Sequence, residues 1–218
     1  MKEFFKKAFT KENMKKFFYS FIWLMVVVFV IDITTKWGIV NHFGAEPIEG
    51  RYGIQIIPNF LYIGLSYNQG AAWSLGAGPT GRVIFIIVSI VLGGGLIAYY
   101  VYATRKNKID TVTKLALALM IAGAIGNLID RAFYWDNTVG FSGVVDWIQV
   151  YFGSFNKTFP TFNIADSALV IGVIILLVYV IIEAIKDARK DAKEGKYKYS
   201  PKELKETEEA KNEENKDK

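Results

Sequence analysis

Four apolar runs constrain the fold of this chain more than any other feature. They cover residues 17–40, 83–102, 112–129 and 162–185, and each is close to the roughly 20 residues that an α-helix needs to cross a bilayer. Hydrophobic residues make up 52% of the chain, which suits burial in lipid better than a soluble two-domain fold. The sequence therefore predicts a mainly α membrane protein with four transmembrane helices.

The first run follows a lysine-rich segment, as the apolar region of a cleavable signal peptide would. No small-x-small cleavage site follows it, because the run continues through Asp32 and Lys36. We therefore interpret it as the first transmembrane helix.

Basic residues flank the runs and predict the orientation of the chain. They cluster before the first run, between the second and third, and after the fourth: Lys2, Lys6, Lys7, Lys11, Lys15, Lys16; Arg105, Lys106, Lys108, Lys114; Lys186, Arg189, Lys190, Lys193. The positive-inside rule puts all three clusters, and hence both termini, in the cytoplasm. Because the net charge of +5 lies beside apolar segments, a nucleic-acid partner is not expected.

This topology predicts three regions. Residues 1–16 form a basic amphipathic cytoplasmic N-terminus, residues 17–185 form the membrane domain with outer loops 41–82 and 132–161, and residues 186–218 form a charged, partly disordered cytoplasmic tail. A broken alternation of apolar residues around Pro58 and Asn59 predicts short strands and a small extracytoplasmic β-sheet. The aromatic residues of the second outer loop suit the headgroup level.

Two aspartates give the clearest indication of function. Asp166 lies at the start of the fourth apolar run and Asp146 lies in the apolar sequence Val144-Val145-Asp146-Trp147. Acidic residues at membrane depth are costly, which makes them functional candidates. By connectivity, Asp166 and the end of the third run at Asp130 converge at the outer surface. Asp32 and Lys36, near the outer end of the first run, are spaced for an i,i+4 ion pair.

Two close carboxyl groups that share a proton provide an acid and a base, which is the chemistry of aspartic proteases. The chain has no cysteine and one histidine, which excludes thiolate sites and disfavours Ser-His triads and most zinc hydrolases. A structural alternative stays open, in which Asp146 caps a loop helix and Asp166 pairs with Arg131. The residues alone do not choose Asp146 over Asp130 as the partner of Asp166.

Other polar and small residues near these acids have competing interpretations. Asn127 and Asn163 need hydrogen-bond partners if buried, and they could orient the acids or bind a peptide backbone. Asp130-Arg131 fits an ion pair or an arginine that reaches the interface, and Gly123 and Gly126 fit close helix packing.

Several ordered blocks of residues resemble those of the lipoprotein signal peptidases (signal peptidase II). The blocks are Asp32-x-x-x-Lys36, Asn68-x-Gly70-Ala71-Ala72-Trp73-Ser74, Gly123-x-x-Gly126-Asn127-x-x-Asp130-Arg131, Val144-Val145-Asp146 and Phe162-Asn163-x-Ala165-Asp166. They reach from the first apolar run to the fourth, and their joint order is much more specific than any single block.

The resemblance implies a membrane aspartyl endopeptidase that cleaves before the diacylglyceryl-modified cysteine of prolipoproteins, in the bacterial cytoplasmic (inner) membrane, with its active site at the outer leaflet. It implies Asp146 and Asp166 as the catalytic dyad, with no metal or organic cofactor. It also implies substrate-binding or dyad-supporting roles for Asn68, Gly123, Asn127, Arg131 and Asn163, and structural roles near the site for Asp32, Lys36 and Asp130. The expected partners are prolipoproteins and membrane lipid, and the expected state is a monomer.

The chain departs from the usual compactness of that family in three segments: residues 41–51, the segment between Arg131 and Val144, and the charged tail. A proton-coupled transporter and a noncatalytic assembly protein are the competing hypotheses. A transporter predicts acids spread through the membrane depth, and the runs offer none in the middle of the second or third. An assembly protein predicts that Asp146→Asn and Asp166→Asn have little effect.

Overall fold

The computed structural model describes residues 10–43, 53–70, 79–133, 135–136 and 141–194. Several sequence predictions fall outside these residues: most of the basic N-terminus, most of the 41–51 segment, the Ala71 to Ser74 part of the second block, residues 137–140 and the tail after residue 194. The described α-helices are α1 (Lys11–Ser20), α2 (Ile22–Phe43), α3 (Pro79–Arg105), α4 (Thr111–Phe133) and α5 (Ile164–Glu194).

Helices α2 to α5 are each long and apolar enough to cross a membrane, which confirms the four predicted transmembrane helices. Their bounds differ from the apolar runs most at α5, which continues to Glu194, nine residues beyond the predicted end. Helix α2 begins at Ile22 because the backbone breaks at Phe21, where φ is +54°. It also continues to Phe43. Asp32 therefore lies at the middle of this helix and not near its outer end, as the apolar run had suggested.

Helix α4 is the most buried of the four spans. Its small and apolar residues Ala116, Ala118, Ile121 and Ala122 are nearly inaccessible, whereas α3 exposes one large apolar side chain after another, as a helix facing lipid does. A Cβ added to Gly172 would lie 2.6 Å from the Ala116 carbonyl oxygen. Small residues thus let α5 approach α4 closely.

Among the residues that the structure describes, six strands lie between the helices, and four of them form one antiparallel sheet. The strands are β1 (Ile54–Ile57), β2 (Leu61–Asn68), β3 (Trp135–Asp136), β4 (Phe141–Ser142), β5 (Val144–Phe152) and β6 (Lys157–Thr158). The sheet has the order β1-β2-β5-β6, and β3 pairs with β4. The turn between β1 and β2 contains Asn59 at a φ of +55°, which confirms the predicted strands and turn around Pro58-Asn59.

Strand β5 was not predicted, although its β-branched and aromatic residues are typical of strands. It pairs with β2 so that Ser66 lies opposite Asp146 and Asn68 lies opposite Val144. Because Asp146 belongs to a strand, the alternative in which it caps a loop helix is wrong.

The chain divides into two compact units, Met1–Leu176 and Leu177–Lys218. The first contains the sheet and every candidate site residue. The described part of the second is the remainder of α5, where basic residues such as Lys186, Arg189 and Lys190 are exposed.

Candidate active site

Strand β5 carries Asp146 into a nearly closed environment. Only 2% of this residue is accessible. Its carboxylate accepts a hydrogen bond of 2.7 Å from the Asn163 side-chain amide, and a second from the side chain of Asn68 on the neighbouring strand. The register of β2 and β5 thus brings Asn68 and Asp146 together.

The first turn of α5 presents Asp166. The backbone N–H of Asp166 donates to Asn163 Oδ1 at 2.8 Å, and the backbone N–H of Asn163 donates to Asp166 Oδ2 at 3.1 Å. This reciprocal pair is a capping box, which satisfies free N–H groups at a helix start and fixes the side chains in it. The other oxygen, Oδ1, accepts a 2.6 Å bond from Asn127 Nδ2.

Asn163 joins the two acids. It is completely buried, and its Nδ2 amide faces Asp146 at 2.7 Å, Asn127 Oδ1 at 3.1 Å and the Val145 carbonyl at 3.3 Å. Through this one side chain and its backbone, the strand acid and the helix acid are held in a single hydrogen-bonded group. The structure therefore brings together Asp146, Asp166, Asn163, Asn127 and Asn68.

The environment of Asp146 favours its neutral form. Burial, followed by the nearby charge of Asp166, raises the pKa of Asp146 to about 8, against the opposing hydrogen bonds from Asn68 and Asn163 and the charge of Lys36. At neutral pH Asp146 therefore carries a proton. An acid pair that holds one proton can donate a hydrogen bond from one member and accept a proton at the other.

Asp32, Lys36 and Asp130 form a buried ion cluster next to the site. The Lys36 ammonium lies 2.7 Å from Asp32 Oδ2 and 2.9 Å from Asp130 Oδ2, and all three residues are at most 3% exposed. The predicted ion pair between Asp32 and Lys36 is confirmed. Lys36 is also the partner of Asp130.

This ion cluster is linked to both acids through their neighbours. Asp32 accepts from the Ala165 N–H at 2.9 Å, next to Asp166, and Asp130 accepts from the Val145 N–H at 3.1 Å, next to Asp146. Lys36 also donates to Asn127 Oδ1 at 3.2 Å. One buried cluster thus fixes the backbone beside each acid and the amide that bonds Asp166.

Arg131 lies at the edge of the site. Its guanidinium donates to the carbonyls of Asn127 and Gly70 at 3.4 Å and 3.2 Å and lies 5.6 Å from the centre of the Phe85 ring. Gly123 serves packing, because a Cβ there would lie 3.0 Å from Leu169 Cβ and would overlap the Ala165 carbonyl. Helix α5 can start beside the site because Gly123 leaves this room.

Arg82 is a supporting residue that the sequence reasoning missed. Its Nε and Nη2 donate to the carbonyls of Arg131 and Ala132 at 2.9 Å and 3.2 Å, which are free acceptors at the end of α4. The signal available in the sequence was a lone arginine directly before the second apolar run.

Within the described residues, no group of three or more His, Cys, Asp or Glu side chains is arranged to hold a metal ion. The chemistry that the arrangement itself offers is proton transfer between a buried neutral acid and a carboxylate that accepts two hydrogen bonds.

Comparison with known proteins gives one consistent result. A sequence model described as "Signal peptidase (SPase) II" matches residues 24–182. The chain is 34% identical over 160 residues to a lipoprotein signal peptidase of Geobacillus kaustophilus and 36% identical over 160 residues to one of Listeria monocytogenes serotype 4a. Each alignment covers 73% of this chain and 92% of the relative.

Solved structures agree with the sequence relatives. A bacterial membrane enzyme determined by the in meso method at 2.3 Å resolution is 31% identical, with a TM-score of 0.58, over 82% of this chain and 93% of that one. A second such enzyme, determined at 1.9 Å resolution, is 32% identical with a TM-score of 0.56, over 73% of this chain and 90% of that one.

Proposed function

Since the chain belongs to the signal peptidase II family, we propose that Asp146 and Asp166 are the catalytic dyad with which it cleaves its substrate. The protein is a multi-pass bacterial membrane peptidase, and its function is to remove signal peptides from prolipoproteins. The main support for this dyad is the hydrogen bonding of the Asn163 side chain. It donates to Asp146 and caps the first turn of α5, which contains Asp166.

The surroundings of the two acids support different roles for them. Asp166 accepts hydrogen bonds from Asn127 and from the Asn163 backbone and lies in the first turn of a helix, where the helix dipole favours an anion. Asp146 is neutral at pH 7. Asp166 is therefore the general base and Asp146 the acid.

The reaction follows from these roles. Asp166 takes a proton from a water molecule, and the oxygen of that water bonds to the carbonyl carbon of the scissile peptide. At the same time the O–H of Asp146 donates a hydrogen bond to the carbonyl oxygen. In the tetrahedral species the proton on Asp166 passes to the nitrogen, the C–N bond breaks, and the amine leaves. The pair again holds one proton.

Supporting roles follow from the same contacts. Asn68 and Asn163 orient Asp146, and Asn127 orients Asp166. Arg131 lies at the edge of the site and holds the carbonyl of Gly70, two residues beyond the end of β2. Gly123, Asp32, Lys36 and Asp130 act through packing and through the buried ion cluster. Asp32, Asp130, Asp146 and Asp166 gather in one place, which disfavours a proton relay of the kind that transporters use.

The substrate is a prolipoprotein whose cysteine carries diacylglycerol, and the cut falls on the amino side of that cysteine. An active site at the outer leaflet lets the acyl chains stay in lipid while the peptide reaches the dyad. The three basic clusters support cytoplasmic termini by the positive-inside rule. We include residues 17–185 in the peptidase domain and propose that it acts as a monomer.

The dyad is tested by cleavage of a diacylglyceryl-modified prolipoprotein peptide by purified protein in detergent. Asp146→Asn and Asp166→Asn should each lower kcat/KM by about 10²–10⁴-fold, the usual contribution of acid–base catalysis. Asp187→Asn, which changes an exposed carboxylate on α5, is the matched control. Full activity in either site variant, once folding is verified, would remove that acid from the dyad.

Orientation is tested with single cysteines, because the chain has none of its own. A cysteine at Phe155, which is 75% exposed in the turn between β5 and β6, should react with a membrane-impermeant maleimide in intact cells. One at Lys106, between α3 and α4, should react only after permeabilisation. The reverse pattern would invert the proposed topology.

A further inference from the structure

Helix α1 lies outside the residues that match the family, which begin at residue 24. It covers Lys11–Ser20 and starts at Thr10, whose hydroxyl oxygen accepts the N–H of Asn13 at 3.3 Å. It is thus a capped helix of ten residues placed directly before a membrane span.

One side of α1 is apolar and open. Met14, Phe17 and Phe18 follow one another at i, i+3 and i+4, the spacing of a helix with one apolar face. Phe17 and Phe18 are 44% and 51% exposed, so the described part of the chain leaves much of this stripe uncovered. The two rings contact each other edge to face at 5.8 Å.

The remaining faces of α1 are polar and basic. Glu12 and Lys16 form an exposed i,i+4 ion pair at 2.7 Å on the side opposite the stripe. Lys15 borders the stripe and lies 5.9 Å from the centre of the Tyr19 ring. An apolar stripe with aromatic side chains, bordered by lysine, is the pattern of helices that lie in a membrane surface.

The break after α1 is built into the structure. Phe21 adopts a left-handed conformation with φ of +54°, and its N–H bonds to the Phe18 carbonyl at 3.3 Å. That carbonyl also accepts from the Trp23 indole at 3.1 Å, and Ser20 Oγ donates to the Phe17 carbonyl at 2.7 Å. These bonds satisfy carbonyls at the end of the helix, so α1 ends before α2 begins.

Connectivity fixes where α1 must lie. Helix α2 crosses the membrane from Ile22, and a single residue, Phe21, separates it from α1. The stripe of α1 is therefore continuous along the chain with a surface that faces lipid, and it lies at the level where lipid headgroups meet acyl chains. The positive charge of Lys15, at the border of the stripe, complements the negative charge of anionic headgroups at that level.

We propose that α1 binds the anionic phospholipid surface of the leaflet from which α2 enters, with Phe17 and Phe18 at the acyl boundary and Lys15 at the phosphates. This contact fixes the level at which α2 enters the bilayer. Helix α2 carries Asp32, which accepts the N–H of Ala165 beside Asp166.

Site-directed fluorescence on the full chain tests this proposal without any peptidase assay. An environment-sensitive dye is attached at Met14→Cys on the stripe and, in a matched protein, at Glu12→Cys on the opposite side. Each protein is reconstituted into vesicles of phosphatidylcholine alone or of phosphatidylcholine and phosphatidylglycerol in equal parts. Quenching by spin-labelled lipid is then compared with quenching by iodide.

The dye at position 14 should be quenched by spin-labelled lipid and the dye at position 12 by iodide. The difference in quenching between the two positions should be larger when phosphatidylglycerol is present. Lys15→Gln should reduce that phosphatidylglycerol effect by about five-fold, the contribution of one lysine that contacts the surface. Lys106→Gln, which removes an exposed lysine between α3 and α4, should leave it unchanged.

Three results would overturn the proposal. Equal iodide quenching at both positions would show that α1 leaves the membrane. Protection at position 14 without quenching by lipid would show that protein, such as a second copy, covers the stripe. Equal quenching in both lipid mixtures, unaffected by Lys15→Gln, would exclude recognition of anionic headgroups.

Discussion

Asp146 and Asp166 are the same residue type in two different environments. Asp146 is closed off by strands and has two amide donors, whereas Asp166 is only half-buried and accepts a side-chain amide and a backbone N–H from a helix start. Burial costs an anion more than it costs a neutral acid. The shared proton therefore belongs on Asp146.

The pH dependence of cleavage follows from the proton on Asp146. Below a pKa of about 8 this acid is neutral and can donate to the carbonyl oxygen, and above it the donor is lost. We expect kcat/KM to fall as pH rises through about 8, measured with a substrate that has no titrating group near that pH. Asp187→Asn should leave the profile unchanged. An undiminished rate well above this pH would contradict the role of Asp146 as the acid.

Lys36 neutralises two buried carboxylates, so its removal should lower the free energy of unfolding. Lys36→Met keeps the volume but leaves Asp32 and Asp130 without their cation, and breaking a buried ion pair destabilises by about 3–5 kcal/mol. We expect a large drop in the thermal unfolding temperature in detergent, measured by tryptophan fluorescence. Lys106→Met, at an exposed position, is the control. Equal stability of the two variants would show that the buried ion cluster contributes little to stability.

At the scale of elements, the start of α5 combines a structural and a functional task. Its capping residue, Asn163, uses its backbone N–H and Oδ1 to close the helix start and its Nδ2 to bond Asp146. The helix terminus and the acid pair are thus parts of one hydrogen-bonded unit, and neither can move alone.

Asn163→Ala tests this double role. Loss of the cap should lower stability by about 0.5–2 kcal/mol, and kcat should fall by more than ten-fold because Asp146 and Asp166 lose their common partner. Asp110→Ala is the matched control, since Asp110 accepts the N–H groups of Val112 and Thr113 at the start of α4. It should cost similar stability with unchanged kcat. Equal kcat in both variants would reduce Asn163 to a helix cap.

At the scale of the whole molecule, the site depends on close packing of three spans. A Cβ added to Gly126 of α4 would lie 2.7 Å from Asp32 Oδ2 on α2 and 2.9 Å from Ala165 Cβ on α5. Gly126 is therefore the point where these three helices meet, next to Ala165 and hence close to Asp166. Any added atom there must push the ion cluster away from the start of α5.

Two glycine substitutions separate packing from helix propensity. Gly126→Ala should destabilise by about 1–3 kcal/mol, the usual cost of overpacking, and should lower activity. Gly94→Ala in α3 has no neighbour within 4 Å of the new Cβ, so better helix propensity should stabilise it by up to about 1 kcal/mol. Unfolding temperature and cleavage rate are measured for both. A stable, active Gly126→Ala protein would contradict the packing account.

Particular residues show how far sequence reasoning reached. The four spans, the turn around Asn59 and the Asp32–Lys36 pair were predicted because each rests on local spacing. Strand β5 was missed because its aromatic residues also fit a membrane interface. The Lys36–Asp130 pair was missed because the two residues are distant in sequence, and Arg82 because its acceptors are backbone carbonyls on another helix.

The sequence by itself determined the membrane spans, the family and the candidate acids, since apolar length and ordered motifs are properties of the chain alone. Only the tertiary structure decided how those acids differ. Three features depend on contacts between segments that are distant in sequence or on the local cap of a helix. They are the burial of Asp146 by strands β2 and β5, the capping of Asp166 by Asn163, and the ion cluster beside the acids. Desolvation and hydrogen bonding act through such contacts, and they set which acid keeps the proton.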